Sequence, residues 1–395
     1  MKQSILVINC GSSSLKFAVL SDEGTVTLVE GMADRLNTNQ STITFKHQGQ
    51  KTQTTLDEGS HKSVVTHIKQ WLDQHNDIKR TLVGVGHRVV HGGETFSRSV
   101  LINQEVIDGI NECAKFAPLH NPAHAKGIEV AFELFPGLPQ IAVFDTAFHQ
   151  TLLPEHYLYP IPMRFYRDHH FRKYGFHGTS YRYISHFFSS IVPNSHRQGV
   201  LIAHLGNGAS VCAVNNGQSS DTSMGITPLE GLMMGTRSGS VDPSLVAFIG
   251  QADNINSEKA LSLLNKKSGL LGISELSNDC RTLEEAMLLG DSKAKLALDM
   301  FAVRTAKHLA SSATTLDKVD HVIFTGGIGE NSPYLRDLIC SHLRVFNICI
   351  DSQLNQNAPR GDVSNISASD SHPQTWIIPT NEELMIALDA LQLIR

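Results

Sequence analysis

Short apolar runs, each closed by small residues, punctuate the chain and predict buried strands. Ile5–Val19 ("ILVINCGSSSLKFAV") reads as strand, tight turn, strand, and so does Val200–Val214 ("VLIAHLGNGASVCAV"). Leu82–Gly86, Gln140–Phe144 and His321–Phe324 read as single strands. Helical spacing fills the intervals. Asn121–Phe135 is expected to begin with Asn121 as N-cap and Pro122 at its first position. Ser292–Thr315 reads as one long helix, and Ser332-Pro333 as the cap and first position of another. His177-Gly178 stands just before a helix that Thr179 or Ser180 is expected to cap. The chain ends in a helix capped by Thr380, with an apolar face of Leu384, Ala387, Leu388, Leu391 and Ile394.

The two strand–turn–strand segments match at a constant offset of 195 residues: Gly11 on Gly206, Ser12 on Asn207, Ala18 on Ala213 and Val19 on Val214. Half the chain separates them, which predicts two related α/β domains. A chain of 395 residues that is 41% hydrophobic can bury the cores this needs. Its net charge of −5 lacks the basic excess of a nucleic-acid surface. No apolar run reaches membrane-spanning length, and the N-terminus enters a strand without a leader pattern, so a cytoplasmic protein is expected. The six scattered cysteines form no CxxC pair and read as reduced thiols. The 20 histidines raise a zinc site, but His120 and His124 flank Asn-Pro without a His-Glu-x-x-His pattern, so none is expected.

Candidate chemistry gathers at the strand ends. Three small-residue turns, Asn9–Ser14, His204–Gly208 and Thr325–Asn331, can turn backbone N–H groups toward a phosphate. None matches the Walker or Rossmann pattern. Lys16 is either a solvated strand residue or a phosphate contact. Arg88 and Arg237 lie among glycines and small residues with few acids near in sequence, which favours an anionic ligand over a surface ion pair. His177 either packs structurally or donates to a phosphoryl oxygen at a helix N-terminus. Asp145 closes a buried strand, where a carboxylate can bind Mg²⁺, orient an arginine or cap a helix. With Thr380 as cap, Glu383 would complete a capping box and leave Glu382 free for Mg²⁺ or the helix dipole.

Nine segments in order, "NCGSSSLKF", "GHRVVHGGE", "LHNP", "FDTAFH", "YGFHGTS", "HLGNGAS", "DTSMGITPLEGLMMGTRSGSVDP", "FTGGIGEN" and "PTNEEL", closely resemble the acetokinase (acetate kinase) family along the whole chain. The resemblance implies the fold of the actin, heat-shock ATPase and hexokinase superfamily, with duplicated domains at 1–149 plus 381–395 and at 150–380 and an active site in the cleft between them. It implies a homodimer, and reversible Mg²⁺-dependent transfer of the ATP γ-phosphoryl group to acetate, giving acetyl phosphate and ADP, with Mn²⁺ as a substitute metal. Asn9 and Glu382 match the family's metal residues. Arg88, Val90, Leu119, Phe176 and Pro228 match its substrate site, and Asp145, His177 and Arg237 its catalytic residues. Ser12, Ser14, Lys16, His204, Leu205, Gly206, Asn207, Gly208, Asp279, Cys280, Arg281, Gly327, Ile328, Gly329, Glu330 and Asn331 match its nucleotide contacts. The branched Val90 implies a small methyl pocket and a preference for acetate. Two rival readings are an actin-like structural nucleotide binder, which has no need of Arg88, His177 and Arg237, and a sugar or polyphosphate kinase using Asp145 as base.

Overall fold

The computed structural model describes residues 3–11, 13–21, 26–118 and 120–395. The expected contacts Ser12 and Leu119 lie outside the described residues. The chain divides into two compact units, residues 1–150 with 381–395, and residues 151–380.

In the first unit the strands are β1 (Ser4–Cys10), β2 (Ser14–Ser21), β3 (Thr27–Asp34), β4 (Thr42–His47), β5 (Gln50–Thr55), β6 (Leu82–Val89), β7 (Val100–Leu101) and β8 (Gln140–Phe144). They form one sheet in the order β5-β4-β3-β2-β1-β6-β8-β7. β1 runs antiparallel to β2 and parallel to β6, and β6 is parallel to β8. The second unit holds β9 (Val200–Leu205), β10 (Ala209–Asn215), β11 (Gln218–Thr222), β12 (His321–Thr325), β13 (Ser364–Asn365) and β14 (Gln374–Ile377). Their order is β11-β10-β9-β12-β14-β13, with β9 antiparallel to β10 and parallel to β12, and β12 parallel to β14. The run β3-β2-β1-β6-β8 therefore recurs as β11-β10-β9-β12-β14. The repeat seen in two hairpins is a repeat of mixed α/β sheets.

Both faces of the first sheet are covered. On one side Leu6, Ile8, Leu15 and Phe17 pack with Val64, Val65, Ile68 and Leu72 of the helix His61–Gln74 and with Val130 and Ala131 of the helix Asn121–Leu134. On the other, Ile5, Val7, Ile141 and Val143 meet Ile386, Ala387, Ala390 and Leu391 of the C-terminal helix Glu382–Ile394. Two glycines of β6 permit this. A Cβ on Gly84 would stand 2.4 Å from Ile394 Cδ1, and one on Gly86 2.6 Å from Ile386 Cγ2. A side chain at either position would force these isoleucines of the terminal helix to move.

Several helix starts differ from expectation. The terminal helix is capped by Asn381, whose side chain accepts from Leu384 N at 2.9 Å, and not by Thr380. Glu382 and Glu383 are then its first two residues, so there is no capping box. Its buried face is Ile386, Ala387, Ala390 and Leu391, with Leu384 and Ile394 at the margin and Leu388 only half-buried. His120 rather than Asn121 precedes the helix Asn121–Leu134. The buried Asn121 amide instead donates to His91 O and Ile110 O, both at 2.9 Å. His177 itself occupies the N-cap of Gly178–Ile191, ahead of Thr179 and Ser180. The expected turn at 325–331 is a short helix, Gly326–Asn331. Ser332 caps Pro333–Ser341 as expected, accepting from Leu335 N at 3.0 Å.

Two buried histidines of the first unit give the fold an acid limit. His87 Nε2 donates to Gln140 Oε1 at 2.7 Å, and burial pushes its pKa down to about 4. His124 has neither ring nitrogen hydrogen-bonded, and burial, then the charge of Arg88, holds its pKa well below the ordinary range. The unfolded chain takes up these protons near pH ~6.5 while the folded chain refuses them. Stability therefore falls as pH drops below that point, by ~1.4 kcal/mol per pH unit for each histidine. Melting curves between about pH 6.5 and about pH 4.5 are expected to show His87→Leu with the shallower slope, by about one proton. An unchanged slope would contradict the assignment.

Candidate active site

Three strands of the first sheet end side by side, and their carboxyl ends carry the polar groups, as α/β sheets commonly arrange. Asn9 stands near the end of β1, Arg88 near the end of β6, and Asp145 directly after β8. Arg88 Nη2 donates to Asp145 Oδ2 at 2.6 Å, and Nε lies 3.1 and 3.2 Å from the two carboxylate oxygens. Asp145 is buried and Arg88 nearly so, with side-chain exposures of 2% and 20%. The close seating of the terminal helix brings Glu382 Oε2 to 3.8 Å from Arg88 Nε. Burial works against the guanidinium's charge, but Asp145 and Glu382 outweigh it and raise the Arg88 pKa further. Glu382 is pushed up to about 7, by burial first, with Asp145 and Glu383 adding repulsion and Arg88 and Lys16 opposing it. Lys16 itself is exposed on β2, directly across from Asn9.

Val90 follows at the end of β6 and is buried, and Ser14 starts β2 with its carbonyl accepting from Gly11 N at 2.7 Å. The sequence pattern thus brings Asn9, Lys16, Arg88, Asp145 and Glu382 into one acidic-and-basic cluster.

In the second unit His177 adopts φ 57°, ψ 19°, a left-handed conformation. Such a backbone is uncommon outside glycine, though histidine tolerates it better than most residues, and it marks sites where a side chain is aimed rather than relaxed. Its ring stacks on His204, at the end of β9, with centroids 4.3 Å apart and planes 29° apart. Arg237 comes from the long connection between β11 and the helix Leu245–Asp253. Backbone bonds pin that connection: Met234 N to Arg237 O, Gly235 N to Asn207 O, and Ser268 N to Thr236 O, each at 3.0 Å. The guanidinium finds no carboxylate among the described residues. Its contacts are Pro228 O at 3.4 Å and Met234 Sδ at 3.6 Å. Burial without a counter-charge lowers its pKa. A half-buried arginine in this state is short of an anion.

His177 and Arg237 converge on Gly208. A Cβ built there would sit 3.5 Å from His177 Nε2 and 3.6 Å from Arg237 Nη1, so the hydrogen of Gly208 borders the space between the two nitrogens. Phe176 and Leu205 are buried, which leaves Leu205 only its backbone to offer a ligand.

Beside this point opens a cavity of about 700 Å³ lined by Gly206, Asn207, Asp279, Cys280, Arg281, Gly327, Ile328 and Asn331 among others. Asp279 caps the helix Cys280–Leu288 and also holds Arg281 Nη2 at 2.9 Å. Gly329 is buried within its helix, and the Glu330 carboxylate is engaged by Gly326 N at 2.9 Å and Thr380 N at 3.2 Å. Asn278, Glu284 and Arg360 also line the cavity and were not evident from the sequence. Asn278 Nδ2 donates to Asn207 Oδ1 at 2.9 Å, a contact that only the fold reveals.

Two clusters at sheet ends, one of them beside a nucleotide-sized cavity and each built on an arginine, suit transfer of an anionic group. The family model "Acetokinase family" matches residues 4–388. The chain is 47% identical over 394 residues to an acetate kinase of Chromobacterium violaceum, covering 100% of this chain and 99% of that protein. Among solved structures it matches a propionate kinase from Francisella tularensis, with TM-score 0.94, 45% identity, and coverage of 99% and 100% of the two chains. The acetate kinase of Porphyromonas gingivalis matches with TM-score 0.94 at 40% identity over 100% of both chains. The chain belongs to the acetokinase family, and it is a phosphotransferase with a carboxyl group as acceptor.

Gly208 tests the geometry directly. Its Cβ positions are ordinary van der Waals contacts, so Gly208→Ala is expected to melt close to the wild type. The methyl would fill the space between His177 and Arg237, and kcat is expected to fall by about tenfold or more, within the range for disturbing one aligned donor. Full activity in a folded variant would show that the space is not used.

Proposed function

We propose that the protein transfers the γ-phosphoryl group of ATP to acetate, reversibly and by direct in-line attack, giving acetyl phosphate and ADP. The observation that carries this reading is Arg237, an arginine with no carboxylate partner among the described residues, which converges with His177 on one point next to the large cavity. The family relationship supports ATP as donor.

Acetate has a pKa in the ordinary carboxylic range of about 4–5 and is ionised at neutral pH, so the nucleophile needs no base. The barrier is the repulsion of two anions and the alignment of their reacting oxygens. In this reading Arg88 binds the carboxylate, and Asp145, through three contacts, fixes the plane of that guanidinium. Without Asp145 that guanidinium would be free to turn toward Glu382, whose Oε2 lies 3.8 Å from Nε. Asp145 orients; it has no proton to take. Arg237 and His177 donate to the phosphoryl oxygens as charge develops there. The family relationship supports Val90, Phe176 and Pro228 as the residues that recognise the acceptor's methyl group.

Asn9 and Glu382 are the residues that would hold Mg²⁺. The donor set fits a hard cation: oxygen ligands, one of them a carboxylate that burial first, and then the negative charge of Asp145 and Glu383, pushes up to about 7. When bound with ATP, Mg²⁺ supplies neutralisation of the phosphate charge. The cavity residues Asn207, Asp279, Cys280, Arg281, Gly327, Ile328 and Asn331 form the proposed nucleoside site.

The same reading includes a homodimer. The helix Leu245–Asp253 buries none of its residues and exposes Leu245 and Phe248, the latter by 61%. An apolar helix left this bare favours a second copy of the chain as its cover. Sedimentation is expected to show a dimer in the wild type and monomer in Phe248→Glu; a monomeric wild type would overturn the assignment.

The chemistry is tested by acyl phosphate formation with acetate, propionate and butyrate, compared by kcat/KM. The highest value is expected with acetate. One methylene is worth only about 1–3 kcal/mol, so some propionate turnover is also expected. Preference for propionate would remove the Val90 argument, and absence of acyl phosphate would remove the reaction. Arg237→Ala is expected to lose about 10³ in kcat, as arginines that stabilise phosphoryl transfer do.

A further inference from the structure

Each of the two stacked histidines is held at Nδ1 by a serine. Ser180 Oγ lies 2.9 Å from His204 Nδ1 and 2.7 Å from Thr380 Oγ1. Ser210 Oγ, on β10, lies 2.9 Å from His177 Nδ1. Ser210 is fully buried, and its hydroxyl also makes a short hydrogen bond with the Tyr181 phenol. Tyr181 is fully buried too, one helical turn beyond His177, with its N–H bonded to His177 O at 3.0 Å. Burial raises the phenol's pKa well above its ordinary value, so it keeps its proton.

We propose that Tyr181 and Ser210 form a hydroxyl relay that fixes His177 in the tautomer carrying its proton on Nε2, the nitrogen beside Gly208 and Arg237. The proposal rests on the reading that His177 serves the phosphoryl group. A serine hydroxyl has one proton to give and two lone pairs to accept with. Between a phenol and an imidazole, the phenol is the more acidic hydroxyl and donates across the short contact. The Ser210 oxygen accepts that proton and turns its own toward Nδ1. Nδ1 is then an acceptor, which leaves the ring proton on Nε2. Run the other way, Nδ1 would donate and Nε2 would present a lone pair to an anionic oxygen, and the site would repel what Arg237 attracts. Tyr181 and Ser210 are positioning residues: they touch His177 and act through it, as partners of metal-bound histidines do when they fix a tautomer.

The tautomer is read by long-range proton–nitrogen correlation on full-length protein with ¹⁵N-labelled histidine, His177 being assigned by its loss in His177→Ala. Protonated Nε2 is expected in the wild type, and a mixture in Ser210→Ala. Both Ser210→Ala and Tyr181→Phe are expected to lower kcat by about 10- to 100-fold, the size of effect that lost orienting partners produce. KM for ATP and acetate should change little, because neither residue is assigned to binding. Tyr181→Phe keeps the ring and its packing, so it and the wild-type spectrum decide the matter even if Ser210→Ala does not fold. Protonated Nδ1 in the wild type, or wild-type kcat in both folded variants, would overturn the relay. If His177→Ala were crippled while both hydroxyl variants stayed active, the relay alone would fall. If His177→Ala were itself fully active, the reading of His177 would fall, and the spectrum would still judge the tautomer.

Discussion

One guanidinium shared by two carboxylates organises the first unit. Arg88 on β6 holds Asp145, 57 residues on, and approaches Glu382 at the start of the last helix. Three charges drawn from such separate places cannot be buried together cheaply, since attraction must offset the desolvation of every member. The fold meets that demand by geometry: Gly84 and Gly86 admit the terminal helix against the sheet, and the parallel pairing of β6 with β8 aligns Arg88 with Asp145. Even so the balance is incomplete. Burial first, and then the repulsion of Asp145 and Glu383, pushes Glu382 up to about 7, and Arg88 offsets this only in part. A site with that surplus is suited to a cation and, through Arg88, to a carboxylate.

The second unit inverts the arrangement. Among the described residues Arg237 has no acid beside it; it meets a carbonyl and a thioether, and burial works against its charge. The contrast separates an arginine that is held from one that waits. Arg88, fixed by Asp145, can offer a defined edge to a planar carboxylate. Arg237, carried on a connection pinned by backbone bonds, gains its strong charge-assisted bonds only when an anion arrives. In the proposed reading that difference suits phosphoryl transfer, because an arginine not already engaged by a carboxylate keeps its hydrogen bonds for the group being transferred.

Much of this was legible in the sequence, for reasons that can be named. Strand–turn–strand segments keep their pattern because both strands are buried on a sheet, so a duplicated hairpin remains visible after 195 residues. Arg88, Arg237 and His177 stood out because glycine and small residues surround them, and Asp145 because a run of five buried residues ends there. Helix starts were less legible. Thr380, Asn121 and Thr179 are all competent caps by type, but Thr380 is drawn to Ser180 and Glu330, and Asn121 to the carbonyls of His91 and Ile110. A cap is a competition among nearby hydrogen-bond partners, and distant partners are invisible along the chain. Ser210 and Tyr181 were missed for the same reason: a serine inside a strand carries no signal until the fold sets His177 beside it.

The misassigned caps and the missed hydroxyls share a consequence. At His177 the N-cap position is filled by a residue in a left-handed conformation whose side chain makes no capping hydrogen bond. The helix Gly178–Ile191 therefore forgoes a cap worth about 1 kcal/mol. The side chain that would have closed the helix is instead tied to Ser210 and stacked on His204. The strain at that residue and the absent cap are costs borne by the scaffold to hold one imidazole still. Such a cost is sensible only where the orientation of the ring matters more than local stability, which fits the role proposed for His177.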